Sequence, residues 1–142
     1  MRHAWVVVLS LVAAGCGPTS PAPQQRLFTD DLSIQIFMTP SPPRALELIE
    51  FRVVVRDKKT GEPIEGGEGQ IFATNEDRKN IDNGLEAGKE LGTYYAKLLF
   101  VTAGTWAIGF RFRRDSTMAL QRANDWMQEV YPERPLGQEG KS

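Results

Sequence analysis

The chain of 142 residues has one cysteine, Cys16, and one histidine, His3. A lone thiol excludes disulfides within the monomer, so the fold must be held by an apolar core. Copper or zinc ligation needs imidazole or thiolate groups converging on one place, and the body of the chain offers neither. An excess of charge of either sign is lacking as well. The 17 Lys and Arg against 18 Asp and Glu leave a net charge of −1, which gives no electrostatic footprint for nucleic acid and no polybasic patch for anionic lipid. The main apolar run, from Ala4 to Val12, falls short of the ~20 residues that a spanning helix requires. Nucleophile-elbow and phosphate-loop glycine patterns are absent, and Gly66, Gly67 and Gly69 are interleaved with Glu65 and Glu68, whose charges repel a phosphate. Glu62, Glu65 and Glu68 could supply paired carboxylates for glycoside hydrolysis, yet they fall in a turn-rich stretch with no rigid cleft in sight. Together these shortages point away from an enzyme, a bound cofactor and a small-molecule substrate.

What is present starts at the N-terminus. Arg2 supplies a positive charge, Ala4 to Val12 an apolar run, and Ala13, Ala14 and Gly15 small residues directly before Cys16. That order is the layout of a secretory signal over residues 1–15 with a small-residue cleavage site. A cysteine at that place resembles the lipobox of bacterial lipoproteins, in which the thiol is acylated and becomes the new N-terminus; Ala13 stands where the motif most often has Leu. The resemblance implies lipidation of Cys16, a membrane partner reached through that anchor, and residence in a bacterial cell envelope. Gly17 takes the place of the Asp that commonly retains such proteins at the inner membrane, which favours the outer membrane of a Gram-negative cell. Residues 16–26, with Pro18, Pro21 and Pro23 among small and polar neighbours, read as an extended tether.

From residue 27 to 115 the dominant period is two, the mark of half-buried strands. Leu32, Ile34, Ile36 and Met38 alternate with Ser33, Gln35 and Phe37, and Ile49, Phe51, Val53 and Val55 with Glu50, Arg52, Val54 and Arg56. Trp106, Ile108, Phe110 and Phe112 alternate with Ala107, Gly109, Arg111 and Arg113. Leu46 and Leu48 sit on the opposite phase, which predicts a bulge or bend near Leu48. Pro40, Pro42 and Pro43 predict a bend between strands, and turn signals stand at Asp57–Gly61, Asn83-Gly84 and Ala103-Gly104. Short strands punctuated in this way imply an all-β fold, an antiparallel sandwich. Tyr94, flanked by Gly92 and Ala96, repeats the spacing of the buried corner tyrosine of immunoglobulin-like domains, with alanine where those domains have their second core cysteine. This predicts a Tyr94 near the start of strand F, its hydroxyl bonded to local backbone.

Four further segments carry a family likeness: Glu50–Asp57, Thr60–Gly67, Gly92–Leu98 and Ala103-Gly104-Thr105-Trp106. Over about Arg44 to Arg114 the chain resembles the YtkA-like family of small envelope domains. The resemblance implies an immunoglobulin-like sandwich and an envelope location, with no agreed catalytic residues. Relatives such as the FixH-like proteins are linked to metal transport and respiratory-oxidase assembly, which makes an accessory role of that kind the alternative function.

The remaining side chains are read first as structure. Met38 falls on the inward phase of its strand and Met127 on a helical stripe, so both are expected to fill core rather than bind metal. Asn75-Glu76-Asp77 and Asn80–Asn83 offer oxygen ligands for calcium, but their spacing fits no calcium loop, and Arg78 and Lys79 interrupt them. They read as a solvated loop closed by the Asn83-Gly84 turn. After Arg114, Leu120, Ala123, Met127 and Val130 recur at helical spacing, predicting an amphipathic helix over 116–131 and a mobile tail over 132–142. If Tyr94, Ala96 and Leu98 point inward, Tyr95, Lys97 and Leu99 point outward beside Thr105, Ala107 and Gly109, so that Tyr95, Leu99, Ala107, Arg111 and Arg113 form one outward surface. That surface is the candidate dock for the tail helix or for an envelope protein partner. The function expected is non-enzymatic: recognition or support of another envelope component.

Overall fold

The computed structural model describes Gly15, Gly17 and residues 21–136. Among these residues nine strands follow in order: β1 (Gln25–Phe28), β2 (Leu32–Thr39), β3 (Leu48–Asp57), β4 (Glu68–Asn75), β5 (Asn80–Gly84), β6 (Glu86–Ala87), β7 (Thr93–Leu99), β8 (Gly104–Arg113) and β9 (Gln121–Val130). They form two antiparallel sheets, one in the order β1-β2-β3-β7-β6 and the other β5-β4-β8-β9. The alternation read from the sequence sets the inner faces. Leu32, Ile34, Ile36, Met38, Ile49, Phe51, Val53 and Val55 are buried from the first sheet, against Ile71, Trp106, Ile108, Phe110 and Phe112 from the second. The layers interlock through edge-to-face aromatic pairs, Phe51 with Trp126 at 6.2 Å and Tyr94 with Phe112 at 5.3 Å between ring centroids. Such pairs add ~0.5–1.5 kcal/mol each beyond the area they bury.

The expected C-terminal helix over 116–131 is instead strand β9, paired with β8 from Gly104↔Val130 to Phe112↔Gln121. A β-bulge explains the misleading period. Ile108 pairs with Trp126 and Phe110 with Ala123, so Gly109 alone faces both Asn124 and Asp125. The extra residue turns Ala123 and Trp126 to the same side although they are three apart, and Val130 follows four further on. Those intervals imitate a helix, while Leu120 and Met127, counted on the same stripe, are exposed at 50% and 66%. Met127 therefore fills no core, unlike Met38. The sandwich thus runs past residue 115, and it also begins before residue 27. Gln25 pairs with Ile36, and the Gln24 side chain accepts from the Met38 N–H and donates to its carbonyl, so the end of the tether is already part of the sheet.

Two turns move. The polar segment from Asn75 closes as a β4–β5 hairpin around residues 76–79, where the Lys79 N–H donates to Asn75 Oδ1 at 3.0 Å. Asn80–Gly84 is consequently an edge strand, not the loop and turn expected at Asn83-Gly84. The bend near Leu48 falls at Leu46, which adopts φ 61°, and the proline cluster does connect β2 to β3.

Tyr94 is buried, as expected, but in a different role. It lies on β7, which pairs with β3 of the first sheet. Its hydroxyl donates to the Ile64 carbonyl at 2.7 Å and accepts from the Gly67 N–H at 2.9 Å, partners 30 and 27 residues away rather than local backbone. The tyrosine thereby pins the connection that carries the chain from β3 in one sheet to β4 in the other. Two glycines make room for it. Gly92 has φ +72°, and any Cβ there would meet Pro63 at 2.6 Å, while a Cβ on Gly67 would come within 2.1 Å of the Phe112 ring. Tyr94→Phe keeps the ring packing and leaves a buried carbonyl and a half-buried N–H without a partner, so unfolding in urea is expected to show a loss of about 1–3 kcal/mol at unchanged denaturant slope. A loss below about 0.5 kcal/mol would mean that the connection holds without this pin.

Candidate functional site

The chain between β7 and β8 does not return as a hairpin. Residues 100–103 carry it from the first sheet to the second, with Phe100 buried at the crossing against Trp106 at 5.3 Å. The single surface expected from Tyr95, Leu99, Ala107, Arg111 and Arg113 is therefore divided. Tyr95 and Leu99 lie on the outer side of the first sheet, whereas Ala107, Arg111 and Arg113 lie on the outer side of the second. Consecutive strands are neighbours often enough to suggest the wrong pairing. No tail helix covers either face, since that segment is β9 itself.

On the second face Arg111 and Arg113 are engaged within the fold. Arg113 reaches its cross-strand partner Glu68 with Nη2 at 2.6 Å and Nε at 2.9 Å. The Arg111 guanidinium lies 4.9 Å from the centre of the Phe72 ring. That ring also covers Gly109, where a Cβ would meet it at 2.5 Å. Ala107 stands in a row between Thr74 and the exposed Met127.

The first face is organised around a cross-strand row that the sequence reading missed. Phe37 pairs with Arg52, Arg52 with Tyr95, and Tyr95 with Glu86. The Arg52 guanidinium stacks on Phe37 at 3.8 Å from the ring centre, a cation–π contact that holds a normally floppy side chain in place. Tyr95 packs over Gly88, where a Cβ would meet its ring at 2.5 Å. An aromatic residue on the polar phase of β2 was the available signal, since Phe37 has no reason to be there for the core. Leu99 sits two steps along the same face, beyond Lys97, and is paired with Leu48.

A depression of about 520 Å³ lies at one end of the sandwich between the 60–66 segment and Arg114-Asp115. Two of its charged groups, Asp57 and Arg114, are committed to one another. Arg114 Nη2 contacts Asp57 at 2.6 Å and Asp31 at 3.1 Å. The second oxygen of Asp57 accepts from the backbone N–H groups of Lys59 and Thr60 at 2.8 and 2.9 Å. The Thr60 N–H above all, with Arg114 and the Lys59 N–H, holds this carboxyl far below the ordinary carboxylate range. Asp57 in turn raises the Arg114 pKa. Asp57 is thus an ionised clamp on the β3 turn, with no proton to exchange near neutrality.

Among the described residues, no group of three or more His, Cys, Asp or Glu side chains converges as a metal site, and no helix is long and apolar enough to cross a membrane. Cys16 and the signal reading of residues 1–15 lie outside the described residues, Gly15 excepted. Neither a scan against protein-family models nor a search of curated proteins finds a match for this chain.

The Asp57 clamp has a definite pH signature. Its folded-state pKa lies below the unfolded value, so its stabilisation is complete above about pH 4 and is lost as the pH falls toward the folded value. Asp57→Asn preserves an oxygen for the turn and removes the charge. In thermal melts the gap between wild type and variant should be wide at neutral pH and should narrow steadily below about pH 4. A gap independent of pH would show that the ionisation of Asp57 contributes nothing to stability.

Proposed function

We propose that this chain is a lipid-anchored cell-envelope protein that works without catalysis, recognising or bracing another envelope protein through the outer face of its first sheet. In this reading Cys16 carries the lipid, residues 17–24 form the tether, and the sandwich is an immunoglobulin-like domain of the YtkA-like kind, at the outer membrane if the cell is Gram-negative. The strand order supports the immunoglobulin-like frame. β2, β3 and β7 stand in the order of the A, B and E strands and β4, β8 and β9 in that of C, F and G. On that lettering Tyr94 belongs to the E position rather than F.

The observation that carries recognition is the Phe37–Arg52–Tyr95 row. Arginine and tyrosine are concentrated at the energetic centres of protein interfaces. Here the stacking on Phe37 orders the Arg52 guanidinium before any partner arrives, which removes part of the entropic cost of binding. Lys97 and Glu50, paired one step along the face, supply the polar rim.

Two measurements test the reading separately. Cys16→Ser should abolish lipid labelling of the protein and move it from the membrane to the soluble fraction; retention with undiminished label would overturn the anchor. A photoreactive residue at Lys97 should crosslink a discrete envelope protein in intact cells, and the same residue at Met127 on the opposite face should not. Arg52→Ala should reduce that adduct about tenfold. Equal adducts from both faces, or none from Lys97, would overturn recognition by this face.

A further inference from the structure

Four exposed apolar side chains gather at the end of the sandwich opposite the Asp57–Arg114 clamp. Leu46, Leu48, Leu99 and Val101 are 54%, 56%, 43% and 40% exposed. They are contiguous. Leu48 and Leu99 are cross-strand partners, and the Leu46 N–H donates to the Phe100 carbonyl at 2.8 Å, which sets Leu46 beside the chain between Leu99 and Val101. Glu47, the carboxylate between two of them, is neutralised by Arg134 at 3.0 Å. Around this patch stand Lys97, Arg44 and Tyr131, the last 46% exposed with the Arg44 guanidinium 5.9 Å from its ring centre. Apolar side chains rimmed by tyrosine and cations suit the boundary between lipid headgroups and acyl chains. The charged 76–79 turn stands at the same end, on the second sheet. At the far end, exposed Phe28 and Leu120 are instead interleaved with Asp30, Lys58 and Arg122.

The course of the chain says what meets this patch. Gln24 brackets Met38 with two hydrogen bonds, and the next residue along β2, Thr39, pairs with Glu50, two residues from Leu48. The tether therefore enters the fold at the patch end. Eight residue steps separate Gln24 from Cys16, which span at most about 29 Å. A lipid on Cys16 would hold the patch within that distance of the bilayer, at a high effective concentration. We infer that the sandwich rests on the membrane by this end, with Leu46, Leu48, Leu99 and Val101 in the lipid interface and the Asp57–Arg114 end facing away. The inference rests on the lipid-anchor reading for its place in the cell, and its test is made independent of acylation.

The chain from Cys16 onward is coupled through Cys16 to maleimide-bearing lipid in phosphatidylethanolamine–phosphatidylglycerol vesicles. A diazirine-bearing residue replaces either Leu48 or, at the far end, Lys59. After illumination, lipid adducts at position 48 should exceed those at position 59 by about fivefold or more, because the near end alone touches lipid. Replacing Leu46 and Leu99 with Asp in the position-48 protein should bring its adducts down to the position-59 level; both sites are exposed, and unchanged thermal melts verify the fold. Equal adducts from the two positions would overturn the inference even if Cys16→Ser confirms the anchor in cells. Protein–protein adducts at position 48 without vesicles, rising with concentration, would assign the patch to a second copy and overturn it as well.

Discussion

The interdigitation of two aromatic-rich inner faces is the constraint from which the rest of this protein follows. Phe51 meets Trp126, Tyr94 meets Phe112, and Phe100 closes on Trp106 where the chain changes sheets. Without disulfides, the free energy that opposes chain entropy must come from this burial. Every other feature of the structure accommodates it. Gly67 and Gly92 give way to Phe112 and Pro63, the β8–β9 bulge brings both Ala123 and Trp126 inward, and the Tyr94 hydroxyl satisfies the backbone of the β3–β4 connection it crosses.

The use of the interior for packing leaves chemistry to the surfaces, and there several charges are engaged by their neighbours. Arg113 binds Glu68, Arg114 binds Asp57 and Asp31, and Arg111 and Arg52 stack on Phe72 and Phe37. The two stacked arginines differ in setting. Arg111 stands opposite a second arginine, Arg122, whereas Arg52 joins Tyr95 in a row crossing the middle of the first sheet. On the proposed reading the latter meets the protein partner and the apolar end beside it meets lipid. The two surfaces are continuous through Leu99, so a sandwich seated on a membrane would present the Arg52 row sideways, toward neighbours in the same layer.

Much of the fold was legible along the chain. Period-two alternation identified the inward residues of β2, β3 and β8 correctly because each of those strands buries one face and repeats without interruption. Val54 was the exception in β3, buried at 7% exposure on the outward phase. The reading failed where period was disturbed or partner choice mattered. The bulge made β9 look helical, and β5, with Ile81 as its single apolar side chain, has no alternation to read. The candidate surface failed for a different reason: its residues point outward as expected, but β7 and β8 belong to different sheets.

By itself the sequence determined the class of fold, the phase of the principal strands and the reliance on an apolar core, since these follow from local side-chain order and from the count of cysteines. Only the tertiary structure decided which strands are neighbours, that the last one is a strand, and which outward residues share a surface. Pairing depends on contacts between residues far apart in the chain, and the energy that selects them comes from the interlocked core, which no local window contains. The Arg52 row and the apolar end exist only because β2, β3 and β7 lie side by side.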